Sequence, residues 1–167
     1  FGDPQASDVF ICMGSASDVV ESTVSAIARR GPAKVGLVKV RLFRPFSAEH
    51  LSRAIPQTAR RICVLDRGKD VTGAGEPLFE DVCTALTVTG RRADLVIGGY
   101  YGLSSKDFNP DMAFSVFQNL ASKSPIRRFS VGIIDDVCHT SLTVVGASMP
   151  SAEALPEGTR QCILWGI

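Results

Sequence analysis

The densest cluster of reactive side chains is Asp135-Asp136-Val137-Cys138-His139-Thr140, which brings two carboxylates, a thiol and an imidazole together. Acid/base, nucleophilic or metal chemistry could draw on such groups. Neighbouring residues of an extended segment point to opposite sides, however, so Cys138 and His139 are not expected to face each other. The chain holds only 2 His, the other being His50. The stretch is therefore read as a hydrogen-bonding loop that docks on a neighbour, and no catalytic residue is assigned. Cys12, Cys63, Cys83, Cys138 and Cys162 form no C-x-x-C pair and no Cys/His zinc pattern. No metal ligand or iron–sulfur centre is expected in this chain, and most of the thiols read as small buried hydrophobes.

Anion binding is the second chemistry the residues permit. Asp66-Arg67-Gly68-Lys69-Asp70-Val71-Thr72-Gly73-Ala74-Gly75-Glu76 is the most polar loop. It could offer Arg67 or Lys69 to an anionic group, or serve as a charged connector making ion pairs within the chain. Gly14-Ser15-Ala16-Ser17-Asp18 leads into a helix, where Ser15 and Ser17 could help hold a phosphate or merely cap the helix. Neither G-x-G-x-x-G nor G-x-x-x-x-G-K-[ST] occurs. Tyr100-Tyr101-Gly102-Leu103-Ser104 reads as a packed loop presenting aromatics. Arg29-Arg30, Arg60-Arg61, Arg91-Arg92 and Arg127-Arg128 each precede a predicted strand. In a parallel sheet they would gather at one edge, either as complements to helix carboxyl ends or as a dock for an acidic neighbour.

The elements that must position these groups alternate regularly. Predicted strands are Asp8–Gly14, Val35–Phe43, Arg61–Asp66, Asp94–Gly98 and Arg128–Ile134. Helices are predicted over Ala16–Arg30, Ala48–Ile55, from Pro77 to about Leu86 or Val88, and over 110–121. Ser47 and Asn109 supply caps, and Pro77 and Pro110 suit a first turn. The alternation predicts an α/β fold: a doubly wound, mostly parallel five-stranded sheet with helices on both faces. Residues 1–138 are expected to form that domain, 139–158 a linker, and 159–167 the first, truncated strand of a following domain.

Bulk properties narrow the function classes. The chain has 167 residues, 45% hydrophobic and 21% charged, with 18 Lys+Arg against 17 Asp+Glu. That composition is globular rather than disordered. A net charge of +1 argues against a nucleic-acid binder. No apolar run is long enough to span a membrane, and the first residues lack a signal-peptide pattern, so a membrane or secreted location is not expected. A start at Phe1 rather than Met marks a processed chain or a piece of a longer one.

Five stretches together strongly resemble the pyruvate:ferredoxin (flavodoxin) oxidoreductase family: Val35–Phe46, Ile62–Leu78, Gly99–Pro110, Phe129–Leu142 and Pro156–Gly166. The resemblance covers nearly the whole chain and falls on the family's second domain, similar to the carboxyl-terminal domain of transketolases. The final residues resemble the start of the next domain. Departures are Gly68 where Thr is usual, Tyr100 where Arg is common, and Cys138. The resemblance implies an enzyme that converts pyruvate and CoA to acetyl-CoA and CO2, with thiamine diphosphate and [4Fe-4S] clusters held by other domains. It implies a homodimer and an electron acceptor that is ferredoxin, flavodoxin or a fused NADP-linked reductase. The location it implies is the cytoplasm or a mitochondrion-related organelle. This piece is then expected to be inactive alone, a structural and interface domain whose Arg67–Glu76 loop approaches CoA or a neighbouring domain. The related domain of large sulfite reductase subunits and a free-standing nucleotide- or flavin-binding module are the alternatives.

Overall fold

A computed structural model describes residues 1–144, 158–160 and 162. In chain order the elements are β1 (Asp8–Met13), α1 (Ala16–Arg30), β2 (Val35–Val40), α2 (Ala48–Ala54), β3 (Arg61–Arg67), α3 (Pro77–Val88), β4 (Leu95–Tyr101), α4 (Pro110–Ala121), β5 (Arg128–Val131) and β6 (Ser141–Leu142). The start signals read in the sequence act as expected. Ser47 Oγ accepts the His50 N–H at 3.3 Å, and Asn109 Oδ1 accepts the Met112 N–H at 3.0 Å. Pro77 and Pro110 occupy the first helical turns of α3 and α4, where a missing N–H costs no intrahelical bond.

The strands lie in the order β2-β1-β3-β4-β5-β6, and every neighbouring pair is parallel. The α/β class and parallel sheet match the expectation, but the sheet has six strands rather than five. The sixth, Ser141–Leu142, pairs with Ser130 and Val131 of β5. Two residues are too few to show alternation, so only tertiary pairing reveals this strand. Most of the expected 139–158 linker, and six of the nine residues of the expected 159–167 strand, lie outside the described residues.

Alternating side chains divide the core between the two faces of the sheet. Phe10, Cys12, Cys63, Leu65 and Ile97 pack with α1 and α4. Val9, Ile11, Ile62 and Val64 pack with α2 and α3. Both faces are apolar, as a sheet covered on both sides requires. The chain steps from β1 to β2 in one direction and then from β2 through β5 in the other. That reversal opens a crevice between the carboxyl ends of β1 and β3, the usual ligand position in such sheets. The α4 crossover returns on the α1 face although it steps in the same direction as the α3 crossover. Its hand is therefore opposite to that of the crossover before it.

β4 is longer than the sequence suggested, continuing through Gly99, Tyr100 and Tyr101. A Cβ on Gly98 would lie 2.7 Å from the Phe79 ring, and one on Gly99 would lie 2.2 Å from Phe129. The adjacent glycines thus let one aromatic ring approach the sheet from each face. Two apparent strand breakers are packing positions.

Candidate functional site

The crevice at the β1/β3 switch is a cleft of about 630 Å³ lined by Met13, Gly14, Ser15, Phe43, Asp66, Arg67, Gly68, Lys69, Asp70, Val71, Pro77 and Tyr101. Three of the four residues singled out from the sequence, Ser15, Arg67 and Lys69, therefore converge there from two separate loops. Gly14 takes a positive φ of +65° and turns the chain from β1 into α1. Ser15 is exposed and its side chain makes no capping bond. Ser17 is placed differently. It is buried, and its hydroxyl donates to the Gly14 carbonyl at 2.6 Å, so it fastens the turn and does not line the cleft.

Arg67 ends β3, pairs in register with Tyr101 and lies across Gly102. Among the described residues its guanidinium has no hydrogen bond or ion pair, although it lines both this cleft and a smaller one at the start of α1. Lys69 Nζ stands 5.7 Å from the Tyr100 ring centroid, at the outer range of a cation–π contact. The two cations are not used up by intrachain carboxylates. Gly68 between them has φ +119°, a conformation that a β-branched side chain adopts poorly.

The rest of the loop is tied down, which sequence reading did not foresee. Asp66 accepts the N–H groups of Leu78 at 2.9 Å and Phe79 at 3.2 Å, capping α3 from the end of β3. Burial lifts its carboxyl to about 6, against the opposing pull of those two bonds. Asp70 accepts from Thr72 N at 2.7 Å, Thr72 Oγ1 at 2.7 Å and Gly73 N at 3.1 Å, and these bonds hold its carboxyl below the usual range. Glu76 is fully buried. Its Oε1 accepts from Arg128 Nη2 at 2.9 Å, while Oε2 has no hydrogen-bond partner. Arg128 Nη2 also donates to the Asp70 carbonyl at 2.7 Å. The 67–76 loop is thus anchored at one end by α3 and across its middle by β5. An Asp closing the strand beside a switch point was the available signal for Asp66; nothing local announces the Arg128–Glu76 pair.

Other expectations change in the fold. Tyr100 and Tyr101 are buried strand residues rather than presented loop aromatics. Tyr101 packs on Phe108 with centroids 4.6 Å apart, and burial raises its hydroxyl to about 12. Asp136 accepts the N–H groups of Cys138 at 3.1 Å and Ser141 at 2.5 Å, closing the turn that launches β6. Asp135 pairs with Lys106 at 2.9 Å. Both acids are therefore spent on loop structure. Cys12 and Cys63 are buried, and burial raises the first thiol to about 12 and the second well upward. Cys83 is half-buried and Cys138 and Cys162 are exposed, so only two of the five are core residues. Among the described residues no three His, Cys, Asp or Glu side chains converge as a metal would need. That donor set does not fit an iron–sulfur cluster.

The arginine pairs do not form one free cationic edge. Arg61 makes a double contact with buried Asp8, Nη2 to Oδ2 at 2.7 Å, joining the first residues of β3 and β1. Arg91 donates to the carbonyls of Ser52 and Pro56, fixing the end of α2. Arg128 lies beside Gly98, in the middle of β4, rather than at the sheet's edge. Intrachain acceptors have taken these three groups, so they cannot serve as a free dock.

The comparisons bear on what the cleft belongs to. A family model described as "Pyruvate:ferredoxin oxidoreductase core domain II" matches residues 6–112. The chain is 49% identical over 166 residues to pyruvate:ferredoxin oxidoreductase of Moorella thermoacetica, covering 99% of this chain and 14% of that protein. It is 47% identical over 167 residues to mitochondrial pyruvate dehydrogenase [NADP(+)] of Euglena gracilis, covering 99% of this chain and 9% of that protein. A third relative is the probable pyruvate-flavodoxin oxidoreductase of Escherichia coli, 48% identical over 160 residues, with 93% of this chain and 14% of the relative covered. The chain spans only a small part of the curated relatives it matches. With this match across more than half of its length, and with the α/β sheet described above, the chain belongs to the pyruvate:ferredoxin oxidoreductase core domain II family.

Proposed function

We propose that this chain is a non-catalytic structural and interface domain of an oxidoreductase that converts pyruvate and CoA to acetyl-CoA and CO2. Electrons pass to ferredoxin, flavodoxin or NADP. Thiamine diphosphate, which supplies the carbanion chemistry when bound, and the iron–sulfur clusters belong to other domains of a homodimeric polypeptide, of which residues 159–167 begin one. The part assigned to this chain is the seating of an anionic group, the phosphates of CoA or an acidic segment of a neighbouring domain, against the β1/β3 crevice. The observation that carries this role is Arg67. It is exposed at the ligand end of the sheet beside Lys69 and Ser15, and no partner within the described residues neutralises it.

The chemistry suits a phosphate. Arg67 offers a planar donor fork, Lys69 a point charge and Ser15 a hydroxyl. The start of α1 adds the positive end of a helix dipole. Ser17 acts behind them by holding the Gly14 turn. The measurement is steady-state kinetics of the full-length enzyme carrying Arg67→Met and Lys69→Met. Loss of two charge-assisted contacts should raise KM for CoA about tenfold or more while leaving KM for pyruvate nearly unchanged. If CoA is not the anion, the same variant should weaken association between domains, seen as increased proteolytic nicking in the native enzyme. Unchanged CoA kinetics together with unchanged nicking would exclude the anion-seating role.

A further inference from the structure

Arg67 belongs to two cavities rather than one. Besides the crevice of about 630 Å³ it lines a cleft of about 250 Å³ at the start of α1, with Ser15, Tyr101, Ser105, Lys106 and Phe108 among its other walls. Ser15, Arg67 and Tyr101 are common to both cavities and so form the partition between them. Sites that enclose a whole small-molecule ligand run from about 300 to 1,000 Å³. The crevice falls within that range and the smaller cleft below it. The smaller one therefore suits a single group of a ligand whose bulk lies beside Met13, Phe43 and Val71.

A strained turn builds the smaller cleft. Ser104 and Ser105, at φ +54° and +57°, are consecutive non-glycine residues in the left-handed region. That conformation costs free energy and collects at ligand sites. The Lys106 N–H closes the turn by donating to the Leu103 carbonyl at 3.1 Å, and the turn carries Ser105 and Lys106 into the wall that Arg67 completes. This wall holds two cations, Arg67 and Lys106, against one carboxylate, Asp107, and Ser15 and Ser105 add exposed hydroxyls. Lys106 also pairs with Asp135 at 2.9 Å, but Asp135 is 83% exposed, and such a surface pair yields readily to a multiply charged anion.

We propose that the two clefts together take one organic diphosphate ester of the nucleoside diphosphate class. Its organic part lies in the larger crevice, and the phosphate next to it lies between Lys69 and Arg67. The terminal phosphate lies beyond Arg67, on Lys106, Ser15 and Ser105. A guanidinium presents five donors in one plane, enough to serve two neighbouring phosphates at once. The proposal rests on the anion-seating role of Arg67 and adds to it a second phosphate subsite and the class of ligand.

The test is hydrogen exchange on the native full-length enzyme with thiamine diphosphate bound, so that its own diphosphate site is filled. ADP should slow exchange of amides 68–70 and 102–107 together, whereas AMP, with one phosphate, should slow only 68–70. Lys106→Met should raise the ADP concentration for half-protection about tenfold, the loss of one charge-assisted contact, and leave that for AMP unchanged. Lys106→Arg keeps the charge and should restore most of the loss, and Asp135→Asn, which frees Lys106, should lower the ADP value. The same two-segment protection by CoA identifies its diphosphate as the occupant; protection by ADP and not by CoA identifies a free nucleotide. Equal protection by ADP and AMP, or ADP binding unchanged in Lys106→Met, overturns the second subsite and leaves anion seating at Arg67 and Lys69 standing. No protection by any of the three nucleotides overturns the ligand class, and domain association in the Arg67→Met, Lys69→Met enzyme then decides the anion-seating role separately.

Discussion

Asp66 shows how one position can serve the fold against its own electrostatic preference. Two backbone N–H groups favour its carboxylate, yet burial is the larger effect and lifts the carboxyl from 3.8 to about 6. A raised pKa means that the folded state holds the proton over a range where the unfolded chain has released it. Its contribution to stability is therefore full below about pH 4 and is lost as pH rises through about 6. The bonds that lower Asp70, Asp135 and Asp136 act with the opposite sign: their contribution is present above the ordinary carboxylate pKa and is lost in more acid solution. Asp66→Asn keeps an acceptor for α3 but cannot titrate. Urea midpoints measured from pH 4 to 7 should fall for the natural protein relative to this variant. Parallel curves would show that Asp66 does not titrate in that window.

At the scale of the element, the 67–76 loop holds its shape through a charge pair drawn from another strand. Arg128 on β5 reaches Glu76 and the Asp70 carbonyl, and Glu76 is left with one carboxylate oxygen unpartnered in a fully buried position. Removing the cation strands a buried charge, whereas neutralising the acid does not. Arg128→Met should cost about 2–3 kcal/mol, less than for a fully buried pair because Arg128 is 42% exposed. Glu76→Gln should cost clearly less, since an amide oxygen can still accept from Arg128. Chemical denaturation of both variants checks the order, and a Glu76→Gln loss equal to or above that of Arg128→Met would refute it. Loosening this tie should also raise exchange rates of the 68–75 amides before those of β3, because the loop has few other long-range bonds.

For the molecule as a whole, the sheet depends on close approach from both faces. Phe129 is fully buried against Gly99, and a Cβ there would lie far inside contact distance of the ring. Gly99→Ala should destabilise by about 1–3 kcal/mol, the usual cost of overpacking. Adding Phe129→Leu should recover part of the loss, because a smaller side chain leaves room for the methyl group. Additive effects in thermal unfolding would show that the two residues do not share the strain. The same sheet presents the β1/β3 crevice at its ligand end, while Phe1–Asp3 borders the start of β2 at its side edge.

Much of this architecture follows from local chemistry. Ser47, Asn109, Pro77 and Pro110 mark helix starts because they satisfy or lack N–H groups that no preceding turn can bond. The bounds of α1 and α4 matched the predicted ones, and apolar runs located β1 to β5 but not β6. Placing Arg67, Lys69 and Ser15 at the ligand end required only the rule for parallel sheets. Other features depended on residues far apart in sequence. Gly98-Gly99 reads as a strand end until Phe79 and Phe129 are seen to need the space. Ser141–Leu142 becomes a strand only when β5 lies beside it. Arg61, Arg91 and Arg128 read as surface cations until Asp8, two carbonyls and Glu76 are brought to them. Hydrophobic period and capping are properties of neighbours along the chain, and the sequence by itself determined those. Partner choice for a charge, and the space left for a ring, depend on which strands lie side by side, so only the tertiary structure decided them.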